Sequence, residues 1–301
     1  MQPHQGGFAI TLLLLFWFLG SILFSSLQEQ LAEMLIGSDA MDRLTKDADF
    51  LREHVWFMRL LQPFYTILGF LLPPLIMAQM LKLNVGRHFR LRQAPRLPYL
   101  GMMLLIFIAS LPLISYTASL NQQLALPDFL SGLERASKDM AEQLKLLTQA
   151  MLRMDSPIEL VINLVVFAIL PGIAEELYFR GGVQRIFHTV SRSAFLGIFL
   201  SALFFTIIHF DIYGLLPRFL LGMMLGYLYH FSGNLWLPII AHVLFNGSQV
   251  IAVYFTGLEN FENAEEQAAI SIWVALGSLL IVLTLFWWFY KSTRTQKTAS
   301  P

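Results

Sequence analysis

Eight apolar stretches, each close to the length a membrane helix needs, constrain this 301-residue sequence more than any other feature. A hydrocarbon layer about 30 Å thick takes roughly 20 mostly apolar residues per helix. The stretches run over residues 8–27, 62–81, 98–119, 158–190, 194–210, 215–231, 236–255 and 268–290, the fourth being too long for one simple crossing. With 56% hydrophobic and 13% charged residues, the chain carries more apolar surface than one soluble core can hide. The fold class expected is all-α, a polytopic membrane helical bundle of about eight transmembrane helices. The first stretch sits where a signal peptide would, but no Lys or Arg precedes it and no small-residue cleavage site follows Ser25-Ser26-Leu27. It reads as a retained helix.

Charge placement says more than charge sum. The 20 Lys and Arg balance the 20 Asp and Glu, which gives no reason to expect a nucleic-acid partner. Basic residues stay on the cytoplasmic side of a membrane protein. Lys82, Arg87, Arg90, Arg92 and Arg96 follow the second stretch, Arg180, Arg185 and Arg192 precede the fifth, and Lys291, Arg294 and Lys297 end the chain. The alternate connections are acid-rich, from Glu29 to Glu53 and at Glu259, Glu262, Glu265 and Glu266. Eight crossings then place both termini in the cytoplasm. Zero cysteines exclude a disulfide framework, a thiol nucleophile and Cys-ligated metals, so any metal is held by His, Asp, Glu or Asn.

Residues 128–153 read as an extracytoplasmic amphipathic helix, with Leu133, Met140, Leu144, Leu147 and Met151 on one face. Ser131 and Glu134 have the spacing of a capping box. Its bland reading is a surface helix on lipid or on the bundle; the sharper one is a gate for substrate.

Polar residues inside apolar helices each need a partner or a task, because a charge at the bilayer centre costs about 2.5–3.5 kcal/mol even on lenient scales. Three clusters qualify: Glu175-Glu176 with Arg180, Phe205 with His209, and His242 with Asn246. Glu176 and Arg180 lie four apart on one helical face and can pair, while Glu175 is turned about 100° away and is free to face a cavity. A fully paired brace with Glu175 merely hydrated is the structural alternative. His242 and Asn246 also share a face. A lone intramembrane histidine is usually a hydrogen-bonded core residue, but convergence of Glu175, His209 and His242 would give the donor set that Zn2+ accepts with a position left for water. His4, His54, His88, His188 and His230 lie in connections or at interfaces and are assigned no role.

These clusters resemble the signature of the CAAX prenyl protease 2 family, also called CPBP or Abi intramembrane proteases. The family motifs are Glu-Glu-x-x-x-Arg, Phe-x-x-x-His and His-x-x-x-Asn or Asp, matched here by Glu175 to Arg180, Phe205 to His209 and His242 to Asn246. The resemblance covers residues 157 to 250, and the first 150 residues are unmatched. It implies a membrane metalloendopeptidase that cuts near the C-terminus of prenylated or membrane-associated proteins. Glu175 would activate water, His209 would orient it or bind metal, His242 and Asn246 would stabilise the oxyanion or complete a metal site, and Glu176 with Arg180 would hold the site. The implied division is an N-terminal region 1–156, a catalytic core 157–255 and a last span with tail 256–301, all in one membrane domain. A bacterial inner membrane is the expected location.

One conflict stands out. Straight helices beginning at 158 outside and 194 inside would leave Glu175 near one membrane face and His209 near the other. A break at Pro171-Gly172 and a wet cavity are expected to resolve it. No His-Glu-x-x-His, Gly-x-Gly-Asp or rhomboid Gly-x-Ser-Gly is present, which disfavours other intramembrane proteases. The rival readings are a non-catalytic scaffold or immunity protein, and a proton-coupled transporter relaying through Glu175, His209 and His242.

Overall fold

Among the residues that the computed structural model describes, 5–123, 127–261 and 270–299, seven helices are long and apolar enough to cross a membrane. The elements are α1 (Gly6–Leu35), α2 (Ala40–Lys46), α3 (Ala48–Glu53), α4 (Val55–Met80), α5 (Leu97–Gln122), α6 (Ser131–Leu152), α7 (Pro157–Ser191), α8 (Ala194–Ile207), α9 (Leu215–Ser232), α10 (Trp236–Thr256) and α11 (Ile272–Ala299). Phe18, Leu280 and Trp273 are 57%, 67% and 78% exposed, as residues facing lipid are. The protein is an integral membrane helical bundle.

Two expected spans differ from expectation. The fifth is the 14-residue α8, about 21 Å long, which is short of a full crossing. An irregular segment and the 3₁₀ turn Ile212–Gly214 complete it, and Asn121 at the far end of α5 donates to the Ile212 carbonyl. The fourth does not break at Pro171. It is a single 35-residue helix that widens into π-helix over Leu164–Ile169, just ahead of that proline. Helix α4 does the same over Ile67–Leu71, ahead of Pro73 and Pro74. Proline lacks an N–H and collides with the carbonyl four residues back, so an extra residue in the preceding turn relieves both without ending the helix.

The bundle has two halves. Residues of α1, α4, α7 and α8 form one apolar core, including Leu13, Phe70, Met77, Phe179 and Phe205. Residues of α5, α9, α10 and α11 form the other, including Ile106, Leu225, Leu237 and Phe289. A third cluster around Ala78, Phe89, Leu177 and Tyr229 joins them.

The expected amphipathic helix is α6, and its apolar face is covered chiefly toward its C-terminus. Met151 is buried, and Leu147 and Ala150 pack against the cluster of α2, α3 and α4, whereas Met140 and Leu144 are exposed. The Leu133 side chain, Glu262, Glu265, Glu266 and the Lys297 side chain lie outside the described residues. Ser131 is already helical at φ −57 and ψ −30, so it does not cap α6. The capping box is found instead at Ser156 and Glu159, where α7 begins. Arg59 of α4 locks this junction, donating to the Met151 and Arg153 carbonyls and pairing with Glu159 at 2.7 Å.

Candidate active site

Helices α7 and α8 form an antiparallel pair joined at Arg192, which is left-handed at φ 57, and Ser193, whose side chain caps α8. Packing antiparallel to α7, α8 carries His209 back toward the depth of Glu175. The Ser201 hydroxyl donates to the Phe179 carbonyl across this pair at 3.1 Å. The depth conflict of straight spans therefore disappears for a reason other than a break. Helix α7 is longer than a crossing, α8 is shorter, and the shared turn sets the register.

The centre of the site is a buried chain of charge-assisted hydrogen bonds. Arg180 Nη1 donates to Glu176 Oε1 at 2.7 Å, and its Nη2 donates to the Gly222 carbonyl of α9 at 2.9 Å. The same Glu176 Oε1 lies 3.0 Å from His242 Nδ1 of α10. With a carboxylate facing it, Nδ1 is assigned the proton and Nε2 is left free. That Nε2 lies 3.9 Å from Glu175 Oε2. Glu176 and Arg180 are wholly buried, whereas the Glu175 side chain keeps 14% exposure. Gly172 permits this close approach of α7 and α10, since a Cβ there would lie 2.6 Å from Val243 Cγ2.

His209 lies in the turn just past α8, with Nδ1 2.6 Å from the Phe205 carbonyl, which leaves its Nε2 free as well. The Phe205 ring is shared by both histidines, its centroid 4.8 Å from that of His209 and 6.1 Å from that of His242. Glu175 and His242 both act electrostatically on His209. Asn246 is directed elsewhere: its Nδ2 donates to the Phe167 carbonyl at 3.0 Å. The regular α-helical donor to that carbonyl would be residue 171, a proline without an N–H. The structure thus gathers Glu175, Glu176, Arg180 and His242, sets His209 beside them, and commits the Asn246 amide to α7.

The donor atoms of Glu175, His209 and His242 are chemically suited to Zn2+, but among the described residues no three His, Asp or Glu side chains group closely enough to hold a metal ion. As placed, the set does not fit a bound metal. Two clefts of about 440 and 700 Å³ exist elsewhere, and neither is lined by these residues.

Residues 157–248 match the family described as type II CAAX prenyl endopeptidase, Rce1-like. That stretch of the chain is similar to the CAAX protease family. Helices α7 to α10 supply the matched segment, and all six expected site residues fall within it. A Bacillus subtilis (strain 168) protein, YdiL, whose name proposes it as a membrane peptidase, is 30% identical over 134 residues. The alignment covers 44% of this chain and 52% of that relative, so the chain spans about half of its length. No solved structure matches the chain.

Sequence reasoning missed two features of this site. One is the hold of Glu176 on His242, whose partners are 66 residues apart and carry no local signal. The other is the clamp on the turn that carries His209. Asn121, buried on α5, donates to the Ile212 carbonyl and accepts from the Leu216 amide at 2.8 Å, and Arg218 pairs with Asp211 at 2.7 Å. An asparagine near the end of an apolar span was the available signal.

Proposed function

We propose that the chain is an intramembrane endopeptidase in which Glu175 activates the attacking water. The observation that carries this reading is the chain Arg180, Glu176, His242, which presents a free imidazole nitrogen 3.9 Å from a second, partly exposed carboxylate. Two carboxylates against one guanidinium leave the cluster with one negative charge, which suits a general base and opposes binding of an anion. Glu175 takes a proton from water as the hydroxide attacks the peptide carbonyl, then delivers it to the leaving amine. His209, fixed by its carbonyl bond and the clamped turn, orients that water through its free Nε2, and Glu176 holds the His242 ring against Glu175. Glu176 and Arg180 position and do not react.

The substrate class proposed is a prenylated or otherwise membrane-associated protein cut near its C-terminus. The family match of residues 157–248 and the name of the B. subtilis relative support it. The location proposed is the bacterial inner membrane with both termini cytoplasmic.

Purified protein in detergent should cut a fluorogenic prenylated peptide, or members of a peptide library, and Glu175→Ala and His209→Ala should each abolish cleavage. Equal cutting by wild type and both variants would overturn the proposal. Loss of activity in chelator, restored by zinc, would show that Glu175, His209 and His242 close around a metal after rearrangement. Retained activity in chelator would leave the metal-free scheme standing.

A further inference from the structure

All 20 carboxylates of the sequence lie in 29–53, 128–159 and 259–266, at Glu175 and Glu176, or at Asp211. None lies in the connection between α4 and α5, from Leu177 to the start of α8, or along α11, where Lys82, Arg87, Arg90, Arg92, Arg96, Arg185, Arg192, Lys291 and Arg294 are found. Among the described residues this end of the bundle carries no acidic side chain.

A cavity of about 440 Å³ opens there, and Arg87, Arg90, Arg92 and Arg96 line one side of it. The turn 231–234 and Thr293 of α11 form the opposite side, and no acidic residue takes part. Arg87, Arg90 and Arg92 make no ion pair among the described residues. The walls are stitched together: Asn234 Nδ2 donates to the Gln93 carbonyl at 2.8 Å, and Trp236 Nε1 donates to the Leu91 carbonyl at 3.0 Å. Neutral partners hold the arginines, Arg92 on Asn84 Oδ1 at 3.2 Å and Arg90 over the Tyr229 ring at 5.5 Å. Arg90 is left-handed at φ 56, an unfavourable backbone for a residue with a Cβ, and it persists because these walls over-determine it. Helix α5 starts at the rim, where the positive end of its dipole adds to the potential.

We propose that this cavity is a binding site for a phosphate-bearing anion, supplied by the headgroup of an anionic phospholipid. Guanidinium groups match phosphate oxygens in pairs, and Arg87, Arg90 and Arg92 around one hollow with no carboxylate in its lining leave a phosphate as the natural counter-charge. The membrane supplies it because the rim is also where the apolar surface begins. Leu97, the first residue of α5, is 79% exposed, and Trp236 stands at the border, so acyl chains can run along α5 while the phosphate enters the arginines. The buried His88 beside the cavity reports the same field, since burial first and then Arg185 and Arg90 push its imidazole down to about 4.

The test titrates full-length protein in detergent with phosphatidylglycerol, phosphatidylcholine and inorganic phosphate, reading bound lipid by native mass spectrometry and stability by thermal shift. Wild type should hold phosphatidylglycerol over phosphatidylcholine by about tenfold or more, given a roughly fivefold contribution per basic residue at an anionic surface. Arg87→Gln/Arg90→Gln/Arg92→Gln should lose that preference, whereas Lys82→Gln/Arg192→Gln/Lys291→Gln, which removes as many charges outside the cavity, should keep it. The single variant Arg87→Gln, at an exposed position, should show a partial loss should the triple variant fail to fold. Equal binding of the two lipids by wild type, or an equal loss in both triple variants, would overturn the site in favour of diffuse surface charge. Inorganic phosphate binding as tightly as phosphatidylglycerol would keep the phosphate site and overturn its assignment to lipid.

Discussion

Glu175 and Asn246 are both polar residues inside apolar helices, yet their surroundings give them different tasks. Glu175 keeps partial exposure and faces an imidazole nitrogen, so Glu175→Gln, nearly isosteric, should lower kcat by about 10²–10⁴-fold while leaving the thermal midpoint close to wild type. A matching loss of folded protein would count against the general-base role. The Asn246 amide is committed to the Phe167 carbonyl, and Asn246→Ala should therefore cost about 1–3 kcal/mol of stability in denaturant titration with much of the peptidase activity retained. Were Asn246 an oxyanion donor, activity would instead fall by about 10²–10³-fold at unchanged stability. The four-residue spacing of His242 and Asn246 is legible in the sequence, but the direction of Asn246 is not. Its partner lies 79 residues away and is available because Pro171 withholds a donor.

Elements carry the register that brings these side chains together. Seven of the spans can be read from hydropathy because length and apolarity are local properties, whereas the π-helical turns and the short α8 depend on how each helix meets its neighbours. The contact of α7 with α10 is the tightest requirement at this scale. Gly172→Ala would drive a Cβ to 2.6 Å from Val243 Cγ2, costing about 1–3 kcal/mol and pushing His242 away from Glu176. Adding Val243→Ala should restore part of both stability and activity, since the Val243 backbone nitrogen, 3.2 Å from the same point, still crowds it. A double variant no better than the single one would show that this approach does not set the site. At the other end of α7, Arg59→Met removes four hydrogen bonds from the junction with α6. Amide exchange over 140–152 should then accelerate while the core of α10 stays protected.

Among the described residues the molecule is electrically divided, with carboxylates in the connections at one end or in the site and a basic surface without acidic side chains at the other. That division is legible in the sequence alone, but its effect on a buried group depends on the fold. The loop that holds His88 is pressed under α7, where Arg185 donates to the His88 carbonyl and Phe89 stacks edge-on beside the ring. Burial chiefly, then the cations Arg185 and Arg90, lower the imidazole from 6.5 to about 4. The unfolded chain, with an ordinary histidine, therefore binds a proton between these values that the folded chain refuses, and stability rises with pH across that interval. Stability should be fully present above about pH 6.5 and fall by about 2 kcal/mol between pH 7 and pH 5 from this residue alone. His88→Gln, which cannot titrate, should flatten that part of the profile in denaturant titrations of the detergent-solubilised protein. Carboxylates that also titrate at the acid end affect both proteins alike, so the difference between the two curves isolates the histidine. A difference that does not change between pH 7 and pH 5 would show that His88 accepts its proton in place, and that the basic end exerts no such field on it.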